Sequence, residues 1–320
     1  MRAWSGVDEA RGWPSGNGIF RGEPDASQLM LTRFRFLPKS LDWLLVLALA
    51  LIDIGLLCIG PMRLVWRPEL LIVLAALALA GLGWACRRYY RGLPHLAHMA
   101  LAGCFIILFT DVAALFNYLA DGLAALPLWD HRFDALDRAM GLDWPGHYDW
   151  VTERPTLYHA SGLLYGALNA EFLILLILLE ALGERRNAAA LRLGFCLSAT
   201  ATILVGVLMP AAGPFVFYDL PVASRTAYVA QLAALRDGTL RQVDLSNAQG
   251  LIFFPSFHAT LGVLCAHAAR AVRGLFWPAL LFNLLIICTA PVIGGHYFVD
   301  IFAGLVLSVA FILLTGGKKV

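Results

Sequence analysis

Long apolar runs are the feature that most restricts how this chain can fold. Eight such runs are present, at 41–60, 70–86, 96–119, 160–181, 189–210, 252–270, 275–293 and 296–315. A helix needs about 20 predominantly apolar residues to cross the hydrocarbon core of a bilayer. Backbone polar groups in that core have to be satisfied within the segment, which favours helices. The runs therefore predict an all-α, polytopic transmembrane helix bundle.

Composition agrees with a membrane location. Hydrophobic residues make up 60% of the 320-residue chain and charged residues only 14%, whereas about a quarter of a soluble domain is charged. The formal net charge is only +2, so the large basic surface that nucleic-acid binding requires is not indicated. We expect a lipid as the partner and no nucleic acid, and the sequence leaves the oligomeric state open.

The distribution of arginine and lysine predicts the orientation of the spans. If the N-terminus lies inside, 16 of the 24 basic residues fall in inside segments, as the positive-inside rule requires. The first 40 residues lack the apolar stretch of a cleavable signal peptide, and we interpret residues 1–40 as a mobile cytoplasmic tail. This orientation is typical of a multi-pass protein of the inner (plasma) membrane. It places the start of the 252–270 run and the turn at 293–296 on the outer face.

Two short motifs carry ionisable groups to that face. "PSFH" ends at His258, and "GGHYFVD" contains His296 and Asp300. Residues four apart lie on one face of a helix, so the Asp300 carboxylate is expected to orient the His296 imidazole. The Pro-Ser pair before His258 suits the start of a helix. Ionisable residues inside a membrane indicate function by default.

Two histidines and one carboxylate suffice for phosphoryl transfer. One imidazole attacks phosphorus, and the second protonates the leaving oxygen. Two other interpretations stay open at this point. A bis-histidine haem protein would use paired histidines on facing helices, and a transporter or non-catalytic scaffold could be built on the same bundle.

The motifs resemble the second and third signatures of the phosphatidic acid phosphatase type 2 superfamily, P-S-G-H and S-R-x(5)-H-x(3)-D. They are most similar to the branch that contains inositol phosphorylceramide synthase and its bacterial relatives. The similarity extends over roughly residues 100–315 and includes "DALDRAMGLDW" and "PAAGP". It implies a metal-independent lipid phosphatase or phosphotransferase without a cofactor, which could transfer an inositol-phosphate-type head group.

The resemblance also implies roles for individual residues. His296 would be the nucleophile, Asp300 its orienting group and His258 the acid for the leaving group. Further residues would contact the substrate or its phosphate, and they are Ser256, Gly295, Tyr165, Arg225, Arg236 and Arg241. The three arginines are candidates because the chain departs from the family pattern. Ala290 stands where the third signature has arginine, and no lysine occurs between Lys39 and Lys318.

The family core of six helices predicts the domain organisation. Residues 96–317 would form a six-helix catalytic membrane domain, and residues 41–95 would add two N-terminal transmembrane helices. Within the catalytic domain, 121–158 would form an amphipathic periplasmic segment on the outer surface. Trp129, Trp144 and Trp150 of this segment are expected to form an interfacial aromatic belt.

Overall fold

The computed structural model describes residues 41–90, 92–124, 126–220 and 226–315. The predicted tail at 1–40 and the side chain of Arg225 lie outside the described residues. The longer helices are α1 (Leu41–Ile59), α2 (Trp66–Tyr89), α3 (Pro94–Ala124), α6 (Pro155–Ala181), α7 (Arg185–Leu208), α11 (Phe276–Thr289) and α12 (Phe298–Thr315). The shorter helices are α4 (Asp130–Ala139), α5 (Trp144–Thr152), α8 (Pro214–Phe217), α9 (Thr226–Arg236) and α10 (Phe257–Ala268).

The predicted all-α membrane bundle is confirmed. Within the described part of the chain, seven helical segments are long and apolar enough to cross a bilayer: α1, α2, α3, α6, α7, α12, and α11 with the π-helical turn Ala290–Gly294 that follows it. Large apolar side chains such as Leu51, Leu71 and Val306 are exposed on these helices. This is the expected arrangement where lipid, and not water, surrounds the bundle.

The predicted span at 252–270 is wrong in length. Its helix, α10, has only 12 residues, which is about 18 Å of helix against a hydrocarbon core of about 30 Å. The residues before Ser256 form an irregular segment instead. α10 packs against α6, α7, α11 and α12, so protein surrounds it on several sides. Small residues, among them Ala259 and Gly262, allow these close contacts.

The apolar core is divided between the bundle and one of its ends. The bundle core contains the almost fully buried residues Phe109, Leu168, Leu176, Leu179, Leu261, Cys265 and Ile286. A second cluster surrounds Phe133, Phe253 and Tyr297. It lies at the end of the bundle where α10 and α12 begin, which we call the histidine end. The apolar cluster there keeps the segments around the two motifs packed together.

A short parallel pair of strands joins the N-terminal helices to the rest of the bundle. β1 (Arg63–Leu64) follows α1, and β2 (Gln242–Val243) lies in the connection between α9 and α10. The Val65 N–H donates to the Val243 carbonyl at 2.9 Å. The α1–α2 connection is thereby fixed to the segment that leads into "PSFH".

Candidate active site

His296 lies in a sharp break between two membrane helices. α11 ends in the π-helical turn Ala290–Gly294, and Gly295 then adopts the left-handed conformation with φ +66°. A Cβ atom on Gly295 would also run into the Phe215 ring, so glycine is required twice over. The break turns the chain back into the bundle and leaves His296 buried at its edge, 4% exposed.

Two acceptors hold the His296 ring. Its Nδ1 donates to the Phe253 carbonyl at 2.9 Å, and an Asp300 carboxylate oxygen lies 3.5 Å from the same nitrogen. A carbonyl oxygen only accepts hydrogen bonds, so Nδ1 carries the proton in the neutral ring. The lone pair is therefore on Nε2, the atom that a nucleophilic or basic role requires.

Asp300 is completely buried and held from two directions. Its Oδ2 accepts the Tyr297 N–H at 2.8 Å, and its backbone carbonyl accepts the Ser256 N–H at 2.9 Å. The second bond joins the start of α10 to the first turn of α12. Both histidine motifs are consequently positioned by the same residue.

Ser256 is the N-cap of α10. Its side-chain oxygen accepts the Ala259 N–H at 3.4 Å, and the residue is fully buried. The helix begins at Phe257, directly after this cap, so His258 lies in the first helical turn. The hydroxyl, which the resemblance assigns to phosphate, is engaged with the backbone in this arrangement.

Tyr165 brings the two histidines into one site. Its ring stacks on the His258 ring with centroids 4.0 Å apart and planes 9° apart. A Cβ atom built on Gly294 would lie 2.6 Å from His296 Cδ2 and 2.7 Å from the Tyr165 hydroxyl oxygen. The tyrosine therefore touches His258 with its face and approaches His296 with its hydroxyl.

The connection at 121–158 contains a residue that caps a membrane helix. Asp137 of α4 accepts the N–H groups of Phe298 and Val299, each at 2.8 Å, which satisfies the first donors of α12. Burial raises the pKa of the Asp137 carboxyl, and the two N–H donors oppose that rise. Asp137 is thus a buried cap for the helix that follows His296.

Asp130, two turns before Asp137, holds a second loop against the same motif. Its carboxylate accepts the backbone N–H groups of Ala212 and Gly213, each at 2.9 Å, and the Tyr297 hydroxyl at 3.0 Å. Burial and the neighbouring Asp130 raise the pKa of the Tyr297 hydroxyl, so this hydroxyl stays protonated as the donor. Through Asp130, "PAAGP" is thus attached to "GGHYFVD".

Trp144 corrects the expectation of an interfacial belt. It is 2% exposed, and its indole N–H donates to the His296 carbonyl at 3.0 Å. Trp150, in contrast, is exposed as expected of an interfacial residue. The sequence interpretation missed Asp130, Asp137 and Trp144. The sequence does contain a signal for the two aspartates. Asp130 and Asp137 are seven residues apart and so share one helix face.

The three arginines proposed to bind phosphate lie in different places. Arg225 lies outside the described residues. Arg236 donates to the Leu126 carbonyl at 2.8 Å and lines, with Asp121 and Phe253, a cleft of about 20 Å³, which is room for about one water molecule. Arg241 is exposed, and its carbonyl accepts the Arg63 N–H beside the β1–β2 pair.

Comparison with protein families decides the relationship. The model of the PAP2 superfamily matches residues 131–314, more than half of the chain. The chain belongs to the PAP2 superfamily. It is accordingly a multi-pass membrane protein of the phosphatase or phosphotransferase type, and a membrane-embedded fold of this kind fits a lipid substrate. No curated protein and no solved structure matches the chain.

The family match covers the candidate catalytic residues but not the first three membrane helices. The matched residues include His258, His296, Asp300 and the capping residue Asp137. Helices α1, α2 and α3 precede the match. Among the described residues, no group of three or more His, Cys, Asp or Glu side chains is arranged to hold a metal ion.

Proposed function

We propose that the protein transfers a phosphoryl group or phospho-head group from a membrane lipid through a phosphohistidine at His296. The observation that carries the proposal is the hydrogen bond from His296 Nδ1 to the Phe253 carbonyl at 2.9 Å. Because that bond holds the proton on Nδ1, Nε2 has the lone pair needed for attack on phosphorus. Asp300, 3.5 Å from Nδ1, stabilises the positive charge that the ring acquires.

In the first step Nε2 of His296 attacks phosphorus in line with the leaving oxygen. The new N–P bond forms as the P–O bond to the leaving group breaks. His258, in its protonated form, gives its proton to the leaving oxygen and becomes neutral. The stack of Tyr165 on His258 fixes the plane of the acid, and so determines the direction from which that proton arrives.

In the second step water or an alcohol attacks the phosphohistidine. Neutral His258 takes the proton of the attacking hydroxyl, the N–P bond breaks, and both histidines return to their starting states. Water as acceptor gives a phosphatase, and an alcohol gives a head-group transferase. The inositol-phosphate type of transfer is our preferred case, because Ala290 replaces the arginine of the third signature as it does in that branch.

The negative charge of the phosphate has to be neutralised without a lysine. The first-turn N–H groups of α10 have no acceptor within their own helix, and a helix N-terminus favours an anion. Arg225, Arg236 and Arg241 precede α10 in the chain and would supply further positive charge. No metal is required by this scheme, so we expect full activity in EDTA.

The phosphoenzyme provides the test. Purified protein is mixed for a short time with a lipid carrying a ³²P-labelled phosphate and quenched in alkali, where phosphohistidine survives. The wild type should retain label that acid then releases, and His296→Ala should retain none. His159→Ala, which alters an exposed histidine, should behave as the wild type. Label that persists in His296→Ala would exclude the proposed nucleophile.

The same preparation separates the remaining alternatives. A transporter or non-catalytic scaffold would show neither a phosphoenzyme nor product with any lipid phosphate, with or without an alcohol acceptor. A bis-histidine haem protein would show a Soret band after purification. We expect product formation and no such band.

A further inference from the structure

A second charged cavity lies at the end of the bundle opposite to the histidine end. Helix α6 runs from the histidine end, where Tyr165 stacks on His258, to Glu180 in its last turn. At that far end a cavity of about 350 Å³ opens between the helices. Six of its lining residues are Trp43, Arg87, His98, Phe105, Glu180 and Arg192. None of them takes part in the proposed chemistry.

Arg192 is the fixed cation of this cavity. Its guanidinium donates twice to one Asp42 carboxylate oxygen, at 2.6 and 2.8 Å, and lies 3.8 Å from Glu180. It also lies 5.1 Å from the centre of the Phe105 ring. Asp42 and Glu180 are both 5% exposed, so the cluster of Arg192 with these two carboxylates is buried. One oxygen of Glu180 has no hydrogen-bond partner among the described residues.

Arg87 is a second arginine in the cavity lining, and Arg185 lies close enough for its charge to act on His98, which also lines the cavity. Neither Arg87 nor Arg185 takes part in an ion pair among the described residues. Arg87 and Arg192 line the cavity with a single carboxylate, that of Glu180, while Asp42 pairs with Arg192. The lining therefore has an excess of positive charge.

We propose that this cavity binds the phosphate of an anionic phospholipid from the leaflet opposite to the histidines. Guanidinium groups bind phosphate oxygens with paired, charge-assisted hydrogen bonds. A basic pocket between membrane helices near their ends is the arrangement that anionic head groups occupy. Trp43, 45% exposed at the rim, suits the interface between head groups and acyl chains.

The helices that precede the family match supply six of the eight residues that line this site. Asp42 and Trp43 begin α1, and Arg87 lies in the last turn of α2. Glu180 and Arg192 belong to the matched region. The head group would therefore bridge the two N-terminal helices and the bundle behind them, which gives these helices a role separate from phosphoryl transfer.

Lipid binding can be measured on the delipidated full chain by native mass spectrometry in detergent. All proteins carry His296→Ala so that no lipid is consumed. Phosphatidylglycerol and phosphatidylcholine with the same acyl chains are titrated, with glycerol 1-phosphate as the water-soluble source of the same phosphate. We expect phosphatidylglycerol to bind more tightly than phosphatidylcholine, and glycerol phosphate not to displace it.

Arg87→Gln should weaken phosphatidylglycerol binding about tenfold, as the loss of one charge-assisted hydrogen bond implies. The neighbouring Arg88→Gln is the matched control, since Arg88 is not among the residues that line the cavity, and should change binding less than twofold. His98→Leu, at another residue of the lining, gives a second reading if Arg87→Gln alters the melting midpoint. Equal phosphatidylglycerol affinity in the His296→Ala parent and in the Arg87→Gln and His98→Leu variants made in it would overturn the proposal. Displacement by glycerol phosphate would reassign the site to a soluble ligand.

Discussion

Asp137 caps the helix that begins at Phe298: its Oδ2 accepts the Phe298 N–H at 2.8 Å, and its Oδ1 accepts the next N–H along at the same distance. The two residues are 161 positions apart. Only Tyr297 separates the capped residue Phe298 from His296, so a carboxylate on α4 anchors the "GGHYFVD" segment at the start of α12. The backbone next to His296 is consequently held by a residue far away in the sequence.

Asp137→Asn should destabilise the protein and slow the reaction together. An amide supplies one acceptor oxygen and sets its NH₂ group against the second backbone donor, so one buried N–H loses its partner. That loss costs about 1–3 kcal/mol in the free energy of unfolding. Thermal unfolding and kcat on a lipid phosphate measure both effects. Asp149→Asn, on the exposed side of α5, is the control and should change neither quantity. If Asp137→Asn also kept the wild-type stability and kcat, the cap would not be important for either.

The membrane bundle and the pairing of His296 with Asp300 could be anticipated from local patterns. Apolar runs of about 20 residues define spans. The spacing of four brings His296 to 3.5 Å from Asp300 as expected, although His296 lies just before α12, which begins at Phe298, and not on its face. Both depend only on residues close in sequence.

The supports of the site could not be anticipated in the same way. The Phe253 carbonyl reaches His296 across 43 positions, from an irregular segment inside a run that looks like a membrane span. Asp130 and Asp137 look like the polar face of a surface helix, and they are buried only because two loops fold against that face. The short length of α10 could not be predicted either, because it also depends on contacts distant in sequence. A helix enclosed by other helices does not need to span the bilayer.

Gly294→Ala tests how closely Tyr165 and His296 approach. The added methyl group would lie 2.6 Å from His296 Cδ2 and 2.7 Å from the Tyr165 hydroxyl, which is closer than carbon contacts allow. A displacement of about 1 Å at a reacting group can cost on the order of 100-fold in rate. We expect a loss of that size in kcat. Gly162→Ala is the control, because its Cβ would meet nothing within 4 Å. Comparable rates for the two variants would show that the approach is not needed.

His258→Ala should be sensitive to the leaving group. An acid that protonates the leaving oxygen contributes about 10²–10⁴-fold when the leaving group is an alkoxide, and little when it is a stable nitrophenolate. We expect a loss in that range with a lipid phosphate and a much smaller loss with nitrophenyl phosphate. Steady-state kinetics with both substrates gives the answer. Equal losses would assign His258 to binding or orientation instead of proton transfer.

His147 should contribute to the acid sensitivity of the fold. Its ring is half-buried beside the Phe298 ring, with centroids 5.6 Å apart, and burial lowers its pKa. The unfolded chain then binds this proton at a higher pH than the folded chain, so stability falls as the pH drops below about 6.5. We expect the melting midpoint to fall less between pH 7.5 and pH 5 in His147→Phe than in the wild type. An identical fall in both proteins would contradict this contribution.

The final prediction concerns the face of the membrane on which the histidines lie. With the N-terminus inside, the positive-inside rule places the histidine end outside the cell membrane. Asp149 lies in α5, whose Trp144 binds the His296 carbonyl, and Arg273 lies beyond the far end of α10. Asp149→Cys and Arg273→Cys are made separately in a chain whose six cysteines are replaced by alanine. An impermeant maleimide on intact cells should label the first and reach the second only after lysis. The reverse pattern would place the histidines at the cytoplasmic leaflet, and the lipid phosphate would then have to be supplied from inside the cell.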